Sequence, residues 1–220
     1  MRQISIINES TVVPANEFAA AVAAVQVQLN RDFSPAWKLW VTLVPNGNTP
    51  ERVYVLDDSD QADALGYHTI DNNNNPVGFV FANTDKKLGL HWQPTLSHEV
   101  LEQIPDPYTN LTALGYFSNM LALVAYESAD PVENDEYLIN GVPVSNFVFP
   151  SWFEDGYNGR VDFLGRLSQA FTLSPGGYIS YQTKLGIWQN AFAALTPHRQ
   201  RWPHRYSRRH RRLTKQSIME

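Results

Sequence analysis

The chain has 220 residues, of which 43% are hydrophobic, and its formal net charge is −5. This composition suits one packed domain with or without a tail, and it excludes a fibrous or low-complexity protein. No apolar run approaches the roughly 18 residues that a membrane-spanning helix needs, so we expect no membrane span. Cysteine is absent, which excludes disulfide bonds, thiolate metal ligands and a cysteine nucleophile.

The first part of the chain predicts several short strands and one helix. Runs of β-branched and aromatic residues predict strands at residues 4–7, 37–44, 52–56, 67–70 and 77–82. Between the first two strands, a helix is predicted to begin at Pro14 or Asn16 and to end near residues 30–32. The asparagine-rich loop at residues 71–76 favours a turn, so the last two strands are expected to form a hairpin.

Two helices are predicted in the middle of the chain. The first spans residues 95–104, with Thr95 or Ser97 as its N-cap and Pro105 directly after its end. The second, over residues 111–128, is the longest apolar helical candidate in the sequence. Beyond it, Asn140-Gly141 predicts a two-residue hairpin turn. Strands and helices are mixed without strict alternation, which favours an α+β fold over a doubly wound parallel sheet.

The segment Ser97-His98-Glu99-Val100-Leu101-Glu102 carries the most informative chemistry. On a helix, His98 and Glu102 lie one turn apart on the same face, where imidazole and carboxylate can hold one divalent metal ion. Glu99 projects beside them, where its carboxylate could accept a proton from water. The segment resembles the H-E-x-x-H helix of zincin metallopeptidases. That resemblance implies a mixed sheet packed with an active-site helix and a second long helix.

Glu102 departs from the zincin motif, which has a second histidine at that position. Carboxylate oxygen also ligates zinc, so zinc stays the expected ion, but a harder divalent ion would compete better at a site poor in imidazole. His68 and His91 are the other histidines before residue 198. For both of them, the sequence favours a partly buried, hydrogen-bonded side chain over a ligand.

The third metal ligand is left open between Glu127 and Asp106. Glu127 is favoured by a resemblance to gluzincins, in which a downstream helix supplies a glutamate ligand. That resemblance also implies that Asp130 orients His98 by hydrogen bonding. Asp106 follows His98 by eight residues, after a proline break that could turn the chain back towards the metal.

A second resemblance, to uncharacterised bacterial and phage-associated proteins, covers about half the chain. It is carried by the segments 97–102, 106–107, 130–133 and 175–178, which read SHEVLE, DP, DPVE and PGGY. It implies a zincin-like fold with an acidic metal site. The first fifteen residues lack the apolar stretch of a signal peptide, so we expect a cytoplasmic or virion-associated protein.

The end of the chain differs from the rest in charge. Residues 198–220 contain 8 Lys/Arg and one acidic residue, whereas residues 1–197 contain 9 Lys/Arg and 21 Asp/Glu. We therefore predict a zincin-like domain over residues 1–196 and a basic, disordered tail over residues 197–220. Arginines interleaved with aromatic residues give this tail the composition of a nucleic-acid or anionic-surface binder.

Two functions follow from these features. The first is a metal-dependent peptidase or related hydrolase that acts on a peptide or protein. The zincin resemblance implies that an extended peptide could add to the strand around residues 77–83, whereas the residues themselves favour an ordinary half-buried strand there. The alternative is a non-catalytic phage or bacterial structural or binding protein with a vestigial or structural metal site. Glu99 favours the first function, and Glu102 favours the alternative.

Overall fold

The computed structural model describes residues 2–61, 64–117, 120–183 and 185–193. Contacts divide the described residues into two compact units, the first within Met1–Tyr108 and Glu136–Asn146, the second within Thr109–Asp135 and Phe147–Glu220. The basic tail predicted over residues 197–220 lies outside the described residues. The domain predicted over residues 1–196 also includes residues that are not described, so its bounds are still a prediction.

The described residues alternate between strands and a few helices. In chain order they form β1 (Arg2–Asn8), α1 (Ala15–Gln28), α2 (Ser34–Trp37), β2 (Val41–Pro45), β3 (Glu51–Leu56), β4 (Gly66–Ile70), β5 (Pro76–Phe81), α3 (Ala82–Lys87), α4 (Trp92–Gln103), β6 (Thr112–Phe117), β7 (Met120–Ala125), β8 (Glu136–Ile139), β9 (Val142–Ser145), β10 (Tyr178–Gln182) and β11 (Trp188–Phe192). A π-helical turn, Leu29–Phe33, joins α1 to α2. The mixture agrees with the predicted α+β class.

A five-stranded mixed sheet organises the first unit. Its strand order is β2-β1-β3-β5-β4, with four parallel strands and an antiparallel β4 at one edge. The pairing aligns His68 with Gly78, Gly78 with Val53 and Val53 with Ile6. Paired residues share a face of the sheet, so one row of side chains runs from the buried centre to the edge strand at His68.

Residues 77–83 contain an inner strand, as the residues favour, and not the open edge that the zincin resemblance implies for a bound peptide. Most of this segment belongs to β5, which is paired on one side with β3 and on the other with β4. A strand with two partners has no free backbone edge for a peptide. The hairpin prediction for this part of the chain is confirmed, and it is β4 that forms the edge.

The first helical region is longer than the sequence predicts. After α1 the chain continues through the π-helical turn into α2, which ends at Trp37 rather than near residues 30–32. Phe33 and Trp37, four residues apart, are both buried and stack with ring centroids 5.4 Å apart. Lys38 then adopts a left-handed backbone with φ of 58°, which ends the helix. The following strand therefore begins at Val41 instead of Trp37.

Helix α4 carries the motif segment and begins three residues before the predicted start. His91 is its N-cap residue and makes no side-chain capping bond, so the prediction of Thr95 or Ser97 as the cap is wrong. The first turn is held instead by Trp92, whose Nε1 donates a 2.6 Å hydrogen bond to Glu17 Oε1 on α1. Helix α4 packs against β4, β5 and β9.

The predicted long helix at residues 111–128 is a β-hairpin. Strands β6 and β7 pair antiparallel, with Leu114 opposite Leu123 and Tyr116 opposite Leu121. These four side chains are exposed, while Ala122 and Val124, which alternate with Leu121 and Leu123 along β7, are buried. This alternation has the period of a strand, and the many Leu, Met and Ala residues conceal it. The second long helix that the zincin resemblance implies is therefore absent from this described segment.

Two further sheets complete the described fold. In the second unit, β6 and β7 continue into an antiparallel sheet of order β11-β10-β7-β6. In the first unit, β8 and β9 form the hairpin that Asn140-Gly141 predicts, and both turn residues have positive φ. No helix among the described residues is long and apolar enough to cross a membrane.

Candidate metal centre

Helix α4 places three ionisable side chains in the protein interior. His98, Glu99 and Glu102 are only 5%, 1% and 1% exposed. Buried charges are costly unless they are paired, hydrogen-bonded or bound to a metal, so this burial needs a compensating interaction. His98 and Glu102 supply one to each other, since His98 Nε2 lies 3.1 Å from Glu102 Oε1 across one helical turn.

A second histidine reaches the same place from the sheet. His68 of β4 is 2% exposed, and its Nδ1 lies 3.5 Å from Glu99 Oε2 and 3.8 Å from Glu102 Oε2. Sequence reasoning missed His68 because only the antiparallel register of β4 brings it opposite Gly78 and towards α4. The sequence carries only the period of two along the hairpin, which puts His68 on the same face as Gly66 and does not show that this face meets α4.

Gly66 leaves room for the Glu99 carboxylate. A Cβ atom at position 66 would lie 2.7 Å from Glu99 Oε1 and 2.9 Å from the backbone oxygen of Phe79. Both distances are too short for an unrelaxed contact, and the second involves backbone that cannot move easily. The glycine therefore allows α4 to approach the edge strand closely, with Glu99 at the point of contact.

Asp85 adds a further buried carboxyl group in this unit. It lies on α3, and its burial raises its pKa well above the ordinary value, a shift that the nearby hydroxyl of Thr95 opposes. The negative charges of Glu136 and Glu99 raise the pKa further. Thr95 and Glu99 are one turn apart on α4, so the Asp85 carboxyl group lies near the helix face that carries the motif side chains.

A buried polar network holds α4 just before His98. Ser97 Oγ donates to Gln28 Oε1 at 2.7 Å and accepts from the backbone N–H of Ser145 at 3.1 Å. Gln28 Nε2 donates to the Ser145 carbonyl and to the hydroxyl of Tyr137. The Tyr137 hydroxyl in turn donates to Asp32, and burial raises the pKa of this tyrosine. The network fixes the rotation of α4 and thereby the direction of the motif side chains.

The donor atoms fit a divalent ion. Two ligand atoms bound tetrahedrally to one zinc ion at about 2.1 Å are about 3.4 Å apart. His98 Nε2 and His68 Nδ1 lie 3.1 Å and 3.8 Å from the two carboxylate oxygens of Glu102, on either side of that value. Buried histidine and carboxylate groups of the described residues could therefore hold a metal ion.

The other predicted site residues lie outside α4. Asp106 is fully buried, and its backbone N–H donates to the carbonyl of Glu102 at 3.2 Å, so the chain turns at the end of the helix. Glu127 and Asp130 belong to the second unit. Glu127 is half-buried after β7, not on a helix as predicted, and Asp130 is buried at the start of a 3₁₀ turn. Their roles as ligand and orienting residue stay predictions.

Two segments that carry the bacterial and phage resemblance meet within the second unit. The backbone N–H of Ser174 donates to the carbonyl of Pro131 at 3.0 Å. A Cβ atom on Gly177 would collide with that carbonyl oxygen at 2.0 Å, so only glycine fits there. The Asp-Pro-Val-Glu turn and the Pro-Gly-Gly-Tyr turn thus form one structural feature.

Comparison of the chain with protein-family models, curated proteins and solved structures found no match.

Proposed function

We propose that this chain is a metal-dependent hydrolase, of the peptidase type, with His98 and Glu102 as ligands of one divalent ion and Glu99 as the proton acceptor. The observation that carries the proposal is the buried pair of His98 Nε2 and Glu102 Oε1, 3.1 Å apart, with Glu99 buried beside it. A bound divalent ion at such a site acts as a Lewis acid and makes water more acidic.

Glu99 is suited to accept a proton. It is a carboxylate between the two ligand positions in sequence, and its Oε1 lies against the glycine of the edge strand. His68 Nδ1, 3.5 Å from Glu99 Oε2, can donate a hydrogen bond that restricts the carboxylate. A positioned carboxylate that removes a proton from the attacking water contributes typically about 10²–10⁴-fold to a rate.

Zinc is the ion that we favour. Imidazole nitrogen with carboxylate oxygen is a ligand combination found in catalytic zinc sites, and harder ions prefer oxygen donors alone. Asp106 or Glu127 is the proposed further ligand, as the sequence left open, and Asp130 is proposed to orient His98. An extended peptide is the proposed substrate, and β4 is the outer strand of the sheet to which it would add.

One observation favours the alternative, a non-catalytic phage or bacterial structural or binding protein with a structural metal site. All three motif side chains are at most 5% exposed, and structural zinc sites are closed, whereas catalytic sites keep an open position. Glu102 in place of the zincin histidine points the same way. Under this alternative the metal would hold α4 in place and no hydrolysis would occur.

The substitution Glu99→Gln separates the two functions. We expect it to leave the metal content unchanged and to lower hydrolysis of a peptide library by about 10²-fold or more, since the amide cannot accept the proton. The matched control is Glu9→Gln, which changes an exposed glutamate. A wild type that retains its metal but hydrolyses nothing would contradict the hydrolase and support the structural alternative.

A further inference from the structure

We propose that a cleft on the face of the five-stranded sheet opposite α4 binds an aromatic side chain of an extended peptide that adds to β4. Basic residues on either side of the aromatic residue complete the pattern that the first unit recognises. This inference rests on the proposed function, because it names the features by which the hydrolase would select a peptide. All the residues that it uses belong to the first unit.

The cleft crosses strands β3, β5 and β4 near the turn that joins β4 to β5. Its volume is about 390 Å³, within the range of about 300–1,000 Å³ that is typical of ligand pockets. Neighbouring residues of a strand point to opposite faces, so Phe79 points away from α4 while Gly78 faces Gln103 of α4. The cleft therefore lies on the other face of the sheet from the motif side chains. Its walls include Arg52, Tyr54, Thr69, Asp71, Val77 and Phe79.

Aromatic rings form one wall of the cleft. The register pairs Tyr54 with Phe79 and Phe79 with Tyr67, so the three side chains form one row across the sheet. The ring centroid of Phe79 lies 5.8 Å from that of Tyr54 and 5.0 Å from that of Tyr67. Aromatic rings favour contacts at such distances, so a further ring in the cleft would extend this row.

Arg52 provides a guanidinium group that is held in place beside the rings. Its Nε donates to the carbonyl of Thr49 at 2.9 Å, and its Nη2 donates to Asn48 Oδ1 at 3.2 Å. Its Nη1 makes no hydrogen bond to the described residues. A guanidinium group attracts the face of an aromatic ring, so Arg52 favours an aromatic side chain over an aliphatic one in the cleft.

The outer edge of β4 presents backbone groups to an added strand. Phe81 N–H donates to the carbonyl of Leu65 at 2.9 Å, and Asp71 N–H donates to the carbonyl of Asn75 at 2.8 Å. Bonded residues alternate in an antiparallel pair, so the odd-numbered residues of this strand bond to β5. Even-numbered residues such as Gly66 turn their N–H and C=O outward, where an extended peptide can pair with them.

The register fixes the distance between the cleft and Glu99. Gly66 lies against the Glu99 carboxylate on the α4 side, whereas Thr69 lines the cleft on the opposite side. Three strand residues span about 10 Å, and an odd number of residues changes the face. A peptide residue whose side chain enters the cleft is therefore about three positions from the residue beside Glu99.

Charge selects the residues that flank the aromatic side chain. The described residues of the first unit contain 6 Lys/Arg and 13 Asp/Glu. Asp71 lines the cleft, and hydrogen bonding from the Asn75 backbone lowers its pKa, so it is ionised at neutral pH. Asp60 accepts a 2.9 Å hydrogen bond from the hydroxyl of Tyr67 in the aromatic row. Peptide positions two residues from the aromatic one share its face, and basic side chains there complement these carboxylates.

The test is the binding of a designed peptide, measured by calorimetry on full-length Glu99→Gln so that the peptide stays intact. The probe is the end-blocked peptide TKTFTKT, compared with TKTATKT. We expect the phenylalanine peptide to bind about 10-fold more tightly or better, since its side chain becomes buried. Replacing both lysines with glutamate should weaken binding, most strongly at low salt.

Thr69→Trp, added to the same protein, fills the cleft and should abolish the preference for phenylalanine. The matched control is Thr42→Trp on β2, the other outer strand, whose side chain is on the same face of the sheet and is also half-buried. This control should keep the preference. If Thr69→Trp does not fold, Arg52→Gln replaces it and should reduce the preference about 2–5-fold, the contribution of a cation–π contact.

The outcomes separate the cleft from the hydrolase. Absence of binding, equal binding of the two peptides, or a preference that Thr69→Trp and Arg52→Gln both retain would overturn the role of the cleft. Tighter binding of the glutamate peptide would overturn the charge pattern. A phenylalanine preference without any hydrolysis by wild type would support the cleft and end the hydrolase. Hydrolysis by wild type without the preference would do the reverse.

Discussion

Helix α4 and the β6–β7 hairpin both depart from the usual distribution of residues, in which charged side chains are exposed and apolar side chains are buried. Helix α4 buries His98, Glu99 and Glu102, whereas the hairpin exposes Leu114 and Leu123 at 58% and 38%. A buried ionisable group costs several kcal/mol unless something compensates it, and an exposed leucine costs little. The burial of charged groups in the helix therefore requires a functional explanation, whereas the exposed leucines of the hairpin do not.

The largest expected effect is that of zinc on stability. If zinc binds only the folded state, zinc at about 1,000 times its dissociation constant should stabilise the protein by about 4 kcal/mol. Chemical denaturation with and without zinc measures this shift, and His98→Ala should abolish it. Equal stabilisation of wild type and His98→Ala would show that zinc binds elsewhere. Zinc would then not be the ion that compensates the buried charges of α4.

Gly66→Ala tests the close approach of α4 to the edge strand. The new Cβ would meet the Glu99 carboxylate and the Phe79 carbonyl, so we expect a loss of about 1–3 kcal/mol, the usual cost of overpacking. Gly78→Ala is the matched control, since its Cβ would meet side chains of Val53 and Gln103 at 3.1–3.2 Å that can shift. Equal losses in the two variants, measured on metal-free protein, would contradict the special role of Gly66.

Asp85 should make stability depend on pH. Because burial raises its folded-state pKa, the folded protein keeps this proton at pH values where the unfolded chain, with a pKa near 3.8, has released it. The contribution of Asp85 to the free energy of unfolding is largest below the pKa of the unfolded chain. It decreases as the pH rises towards the folded-state pKa. Asp85→Asn should therefore be more stable than wild type at pH 7, with the difference shrinking towards pH 4.

The control for Asp85 is Asp71→Asn. Asp71 is only partly buried, and hydrogen bonds from the backbone of Asn75 and Asn73 lower its pKa, so its replacement should not raise stability at pH 7. Unfolding followed by fluorescence from pH 4 to pH 8 compares the variants. A pH profile of Asp85→Asn parallel to that of wild type would contradict the effect of burial on Asp85.

The smallest expected effect concerns the hairpin. Leu123→Ala should change the free energy of unfolding by less than about 0.5 kcal/mol, because this side chain is already in contact with water. Its buried neighbour Val124 is the control, and Val124→Ala should cost about 1–3 kcal/mol. Similar losses of unfolding free energy in both variants would show that Leu123 is buried in solution. The hairpin would then not expose its leucines as the comparison with α4 assumes.

The features that the sequence predicts well depend on local chemistry. The hairpins β4–β5 and β8–β9 follow from turn residues such as Asn140-Gly141, and the motif helix follows from a short pattern that ends at a proline. The helix at residues 111–128 was wrong because leucine, methionine and alanine favour helices in general. The pairing of Leu114 with Leu123 decides this segment, and pairing is tertiary information.

The residues of the candidate site also divide into those that local sequence predicts and those that depend on tertiary packing. His98, Glu99 and Glu102 could be predicted because they share one helical turn and one face. His68 could not, because its approach to Glu99 depends on the antiparallel register of β4 and on the packing of α4 against that strand. The space at Gly66 is likewise invisible in sequence, since it depends on two elements meeting.

The most direct test of the account is the metal content of the purified protein, measured by mass spectrometry after weakly bound ions are removed. Wild type is compared with His98→Ala and Glu102→Ala. If His98 and Glu102 bind the ion as proposed, wild type contains about one equivalent of zinc or another divalent metal and both variants lose it. A wild type that holds no metal even after reconstitution, or variants that hold as much as wild type, would contradict it.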